Sequence, residues 1–320
     1  MPKQAVLLLA HGTPETAGQI PEYLRNVVSG RPLPPQVVQE IQHRYSLIGR
    51  SPLTDITLQQ ARLVETELAA SGHPVPVYVG MRNWRPYIPE VVRQMRSAGV
   101  EQAAVVCMAP QNSRTSVGLY RRAVEAEAAG LRIDFTESWA AHPLLIQAFA
   151  ERLRPALARL SAETGSPVPV LFTAHSVPCR TIQAQAPPPD APFRSAPQAA
   201  DPYAEDAKHT ATLVAAQIPE ISQWYFAFQS QGASGGPWLG PTVEQTLDSL
   251  AASGVKTLLL QPIGFLCDHI EILYDVDILF RSHAQKLGMR LERPESLNAS
   301  ATLARAVAAL ARLGLVRLTG

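Results

Sequence analysis

Residues 5–14 read AVLLLAHGTP, and residues 168–178 read VPVLFTAHSVP. Each is a continuous apolar run that ends in Ala-His, a small residue, one further residue and proline. An unbroken run of Val, Leu and Ala with no polar alternation is the pattern of a strand buried on both faces, as in a parallel sheet. A chain that twice finishes such a strand with histidine invites a search for a repeated plan. Further apolar runs of strand length fall at 75–80, 103–108 and 132–136, and then at 223–228, 257–261 and 290–293. Amphipathic stretches at 58–70, 86–97, 115–129, 204–217, 242–253 and 269–287 separate them. Alternating strand and helix predicts an α/β fold: two Rossmann-like, doubly wound domains with parallel sheets. The expected bounds are 1–140 and 141–298, and a last helical stretch within 299–320 is placed to pack back on the first domain. Ligands of such sheets bind beyond the carboxyl ends of the strands. His11 and His175 both stand there, on either side of a cleft between the domains.

The bulk properties narrow the function. The chain has 320 residues, 46% hydrophobic content, 17% charged residues and a formal net charge of +1. That is enough apolar material for one large or two medium cores. It lacks the basic excess expected of a nucleic-acid binder, so no nucleic-acid partner is expected. Cys107, Cys179 and Cys267 form no CxxC and no metal-ligand spacing, which reads as reduced thiols in a cytoplasmic protein. The opening MPKQAVLLLAHG is too short in apolar length for a signal peptide. No run approaches the ~18 apolar residues of a transmembrane segment.

Three local patterns carry chemistry. His175 by itself is as readily a hydrogen-bonded strand-end residue as a reactive one, and its position at a carboxyl end tips the reading toward function. Residues 261–280, QPIGFLCDHIEILYDVDILF, pass from a strand into a helix expected to start at Cys267-Asp268. Asp268 and Glu271 fit a capping box, with Asp268 as N-cap. Glu271 and Asp275 are four apart and share a helix face, where like charges cost a few tenths of a kcal/mol. Such a pair suits proton acceptance or the passage of a divalent cation. Residues 237–241, PWLGP, make a rigid turn displaying Trp238, either packed in a loop or walling a planar ligand. The proline- and alanine-rich 184–203 cannot form regular helix or strand, and reads as a surface insertion or a lip over the cleft.

TAHSVP (173–178), FQSQGASGGPWLGP (228–241) and GFLCDHIEILYDVD (264–277), together with AHGTP (10–14), HRYSLIGRSPL (43–53) and VYVGMR (77–82), resemble the ferrochelatases, which insert ferrous iron into a porphyrin. The motifs run collinearly through nearly the whole chain. The resemblance implies a chelatase-like fold of two Rossmann-like domains around a porphyrin cleft. It is closest to the Gram-positive-type coproporphyrin enzymes.

The same resemblance implies roles for particular residues. His175 and Glu271 take the positions of the catalytic histidine and glutamate, which face each other across the macrocycle centre. Either can bind Fe2+ or accept a pyrrole proton. Asp275, one turn on, relays protons or hydrated iron, but the next family position on that face is Leu279 here, which shortens any acidic path. The propionates of the ring fall to Arg44, Tyr45, Ser51 and Tyr120, and Arg82 takes the place of a cleft-facing lysine. Relatives often carry an arginine before the glycine of the GRxP turn. Here Val28-Ser29 precede Gly30-Arg31, and Arg31 is the expected substitute. Trp238 and 48–53 wall the ring, which must pucker to expose its nitrogens. His11 replaces a tyrosine or methionine of relatives and is expected near the iron, as a metal ligand from the far face. Iron is a substrate rather than a cofactor, and no iron–sulfur cluster is expected. The expected partners are Fe2+ and coproporphyrin III, with protoporphyrin IX next, and the expected state is a monomer. Two alternatives stand: a sirohydrochlorin-type cobalt or iron chelatase, and a non-catalytic haem or tetrapyrrole carrier.

Overall fold

The computed structural model describes residues 2–183, 200–232 and 236–319. The stretch read as a lip, 184–203, lies outside the described residues except for 200–203. The first half runs β1 (Gln4–Ala10), α1 (Ile20–Val27), α2 (Pro35–Ile48), α3 (Leu53–Ala70), β2 (Val77–Met81), α4 (Ile88–Ser97), β3 (Gln102–Cys107), α5 (Val117–Glu125) and β4 (Arg132–Thr136). A long α6 (Pro143–Thr164) leads to β5 (Val170–His175), a short α7 (Cys179–Ile182), α8 (Tyr203–Ala216), β6 (Trp224–Gln229), α9 (Val243–Ala252) and β7 (Thr257–Pro262). A π-helix (Glu271–Phe280) continues into α10 (Arg281–Lys286), and β8 (Arg290–Glu292) and α11 (Ala301–Thr319) finish the chain.

The two sheets are ordered β2-β1-β3-β4 and β6-β5-β7-β8, and every pairing is parallel. In each sheet the first strand of the set is interior and the chain reverses direction around it, so β1 and β5 end at equivalent switch points. The continuous apolar character of these strands is explained by burial on both faces. Val6 and Leu8 of β1 and Val170 and Phe172 of β5 share one cluster with α3, α6 and α11. Ala5, Leu7 and Leu9 turn the other way, onto α4 and α5. Leu171, Leu258 and Leu260 face α9 and the π-helix. Both sheets thus lean on one apolar layer between them. Each fully buried Leu or Phe in that layer contributes about 1.5–3 kcal/mol.

α6 departs from the helices read in the sequence, where Pro155 interrupts its pattern. A proline inside a helix removes one backbone hydrogen bond. Leu153, Leu157 and Leu160 are nonetheless fully buried on its inner face, and that packing holds the helix through the break. α11 packs on α3, β3, α6 and β4. No helix among the described residues is long and apolar enough to cross a membrane.

Candidate active site

β5 outruns its neighbour β7: Thr173 lies opposite Pro262, while His175 still pairs with Gln229 of β6. The strand therefore projects His175 past the sheet edge. Gly264 lets the chain after β7 lie close against it, since a Cβ there would come within 3.1 Å of Ala174 Cα and Cβ. Behind the histidine, Ser176 is buried and donates its hydroxyl to the Leu239 carbonyl at 2.8 Å. Tyr203 donates its hydroxyl to the His175 carbonyl at 2.9 Å.

The 267–271 corner folds differently from the capping box expected there. The Asp268 carboxylate accepts from Ser296 Oγ (2.7 Å), Asn298 Nδ2 (2.9 Å) and Arg293 Nη2 (3.1 Å) instead of capping a helix. Arg293 also grips Asp277 with Nε and Nη2, a bidentate pair that ties the π-helix to the 293–298 segment. The Glu271 backbone N–H is taken by His269 Nδ1 at 3.1 Å. Glu271 is thereby free to turn its side chain to His175. The hydrogen bonding of a π-helix runs i→i+5, and its wider turn is found frequently at functional sites.

His175 Nε2 and Glu271 Oε1 are 3.2 Å apart, and a third of each side chain reaches solvent. They touch, which leaves no room for a ring between them; the expectation that they face each other across its centre does not describe this geometry. His175 Nδ1 meets the Ser176 carbonyl. Both ring nitrogens thus face acceptors, which suits the imidazolium form. Burial pushes the His175 pKa down, but the charge of Glu271 and the hydrogen bond to it outweigh this and leave it raised. Burial likewise works to raise the Glu271 pKa, and the His175 charge beats it down to about 2. The pair therefore shares a proton as imidazolium and carboxylate.

Asp275 lies nearly buried behind Glu271. Its carboxylate accepts from Ser230 Oγ and pairs with Arg44 Nη1 at 3.3 Å. Ser230 adopts φ of 63°, a left-handed conformation that costs about 1–2 kcal/mol in a non-glycine residue. Burial first, and then the Glu271 charge, push the Asp275 pKa up to about 6. Arg44 also bonds Glu40 and lies over the Tyr274 ring, with its guanidinium carbon 4.9 Å from the centroid. A residue read as a propionate partner is thus held by the acidic helix.

His11 follows β1. The Asn83 amide donates to its Nε2 at 2.9 Å, and its Nδ1 lies 3.1 Å from the Gly12 carbonyl and 3.2 Å from Tyr23 Oη. Burial first, and then the Arg82 charge, push its pKa down to about 4, so it is neutral near pH 7. Glu271 and His11 perturb each other electrostatically, which brings both strand-end histidines into one neighbourhood. Both ring nitrogens of His11 already have partners, and ligation of iron by Nε2 requires the Asn83 amide to let go.

Arg82 spans the ring of buried Tyr120, 5.6 Å from its centroid. Tyr45 is buried with its hydroxyl 2.8 Å from Thr13 Oγ1. Ser51 is buried and its hydroxyl has no hydrogen-bond partner among the described residues, so it is available to an incoming acceptor. Trp238 bridges to Pro178 near the His175 turn. Arg31 is exposed and, among the described residues, bonds its own turn alone, through the Val28 carbonyl at 3.0 Å. The sequence reading gave no role to Asn83, Tyr23, Ser230, His269 or Tyr203. Asn83 directly follows Arg82, and Ser230 and His269 lie inside the 228–241 and 264–277 motifs; no pattern marked Tyr23 or Tyr203. Among the described residues no group of three or more His, Cys, Asp or Glu is arranged to hold a metal ion.

Residues 3–314 match the family model described as Ferrochelatase. A ferrochelatase from Acidobacterium capsulatum is 60% identical over 317 residues, covering 99% of this chain and 96% of that protein. A coproporphyrin III ferrochelatase from Mycolicibacterium vanbaalenii is 34% identical over 327 residues, covering 98% and 92%. Among solved structures, SirB from Bacillus subtilis with Fe3+ is similar at a TM-score of 0.57 and 14% identity, covering 99% of this chain and 98% of that one. At that identity the likeness is one of fold.

Proposed function

The chain belongs to the ferrochelatase family of enzymes, and from that premise we propose that it inserts Fe2+ into coproporphyrin III, acting as a cytoplasmic monomer in haem biosynthesis. The observation that carries the mechanism is the His175–Glu271 contact of 3.2 Å, partly open to solvent at the carboxyl end of β5. Metallation strips water from Fe2+ and releases two pyrrole protons for each iron bound. With Glu271 ionised, His175 keeps its proton. A dication arriving at the carboxylate cancels the charge that holds that proton and lowers the His175 pKa, so the proton leaves to solvent through the open face of the pair and the lone pair is freed. His175 then takes a pyrrole proton or a coordination position, and Glu271 offers oxygen to the iron. Asp275, with its raised pKa, accepts or returns a proton in the same turn of the π-helix. His11 stands toward the opposite side, as a base or as an axial ligand to product once Asn83 moves. His11→Ala tests this: an unchanged visible and EPR signature of the product complex removes His11 from the iron.

Arg44, Tyr45, Ser51, Tyr120, Arg82 and Arg31 are the proposed propionate contacts, and Trp238 is the proposed wall. The four carboxylates of coproporphyrin suit this many donors. The HRYSLIG and TAHSVP motifs and the coproporphyrin III relative support that ring. The 60%-identical relative, named simply ferrochelatase, keeps protoporphyrin IX as the second reading. Anaerobic Fe2+ insertion, followed by visible absorbance, with the two porphyrins side by side decides between them. We expect kcat/KM at least tenfold higher with coproporphyrin III. Equal or reversed values overturn the choice of ring, and activity on sirohydrochlorin alone overturns the reaction.

A further inference from the structure

A cavity of about 440 Å3 is lined by Arg25, Asn26, Ser29, Arg82 and Tyr87 among others. Arg25 sits in the last turn of α1 and Arg82 just beyond β2. Neither guanidinium has a carboxylate partner among the described residues, although arginines 44, 114, 121, 159 and 293 all do. Arg82 reaches the Thr115 carbonyl only at 3.5 Å, and its Nε is buried with no hydrogen-bond partner. A buried unpaired donor in a native protein calls for a partner that is missing. Two cations on one cavity, with no acid between them, fit a carboxylate held in bidentate fashion.

The cavity is also wired to the reacting centre. Asn26 Nδ2 donates to the Asn83 carbonyl and to Tyr87 Oη, each at 3.2 Å, and Asn83 in turn holds His11 Nε2. Arg31, the cation expected on this turn, is not among the lining residues; Arg25 of the preceding helix is.

We propose that this cavity receives a carboxylate arm of the macrocycle, and that Arg25 together with Arg82 binds it. The assignment rests on the porphyrin reading of the site and gives Arg25 a role.

The test measures porphyrin affinity by fluorescence quenching on the full chain. Coproporphyrin III and its tetramethyl ester are titrated in the same detergent against the wild type, Arg25→Gln and Arg25→Lys. Loss of a charge-assisted bond predicts roughly tenfold weaker binding of the free acid to Arg25→Gln. Affinity for the ester stays within twofold, and Arg25→Lys recovers most of the loss. Unchanged affinity for the free acid overturns the assignment, as does an equal loss for acid and ester. Citrate serves as the probe for a small free carboxylate. Arg25-dependent citrate binding with Arg25-independent coproporphyrin binding also overturns the proposal. Should the wild type bind neither coproporphyrin nor protoporphyrin, the porphyrin reading falls and takes this assignment with it.

Discussion

His175 and Glu271 set each other's charge, and this makes both testable one residue at a time. Removing the carboxylate in Glu271→Gln leaves burial as the main influence on His175, so its pKa falls. An NMR titration of the His175 ring checks the direction; a pKa unchanged or higher in the variant denies the pairing. Asp275 gives the opposite sign. Its pKa is raised to about 6 in the fold from 3.8, so folding takes up a proton between those values. Stability therefore falls as pH rises through that window, and the penalty is fully present above it. Asp275→Asn is expected to gain on the wild type in unfolding free energy between pH 4 and pH 7.5, by on the order of 2 kcal/mol, read by denaturant unfolding at each pH. A difference that does not move with pH contradicts the burial argument. His175, Glu271 and Asp275 were legible as residues because their spacing and strand-end position are written in the chain. Their contacts were not: Asp268 reads as a helix cap until Ser296, Asn298 and Arg293 take its carboxylate from a distant segment.

Strands were the most legible elements, because burial on both faces leaves a continuous apolar run that needs no partner to be recognised. β5 runs through to His175, where the apolar run also ends, because His175 still pairs with Gln229. Helices were harder wherever packing overrides composition. α6 continues through Pro155 on the strength of its buried leucines, and α11 runs past Gly314. Gly314 is a notch, since a Cβ there would come within 2.9 Å of Asp134 Oδ1 and 3.0 Å of Ala104 Cβ. The π-helix reads as an ordinary helix over 269–287, since apolar spacing does not distinguish i→i+4 from i→i+5 bonding. At the seam of β5 and β7, Gly264→Ala is predicted to force the strand end away from Ala174. We expect a loss of about 1–3 kcal/mol by denaturant unfolding, with a fall in kcat larger than any change in porphyrin affinity. Wild-type kcat in this variant contradicts the role given to the close approach.

Across the whole molecule, two sheets of the same strand order carry a histidine at the end of β1 and of β5, and the second sets His175 against Glu271 of the π-helix. The repeated Ala-His endings foreshadowed this, but the shared apolar layer joining the sheets did not show in the sequence, because it depends on which face of each strand meets α3, α6 and α11. In the proposed mechanism peripheral groups bind the ring, while the imidazole–carboxylate pair exchanges protons for iron. The two tasks should separate in a single variant. The decisive experiment is anaerobic single-turnover insertion of Fe2+ into bound coproporphyrin III by Glu271→Gln, with porphyrin affinity taken on the same protein. We expect affinity within about threefold of wild type and insertion slowed by about two orders of magnitude or more. Insertion at the wild-type rate would refute the mechanism.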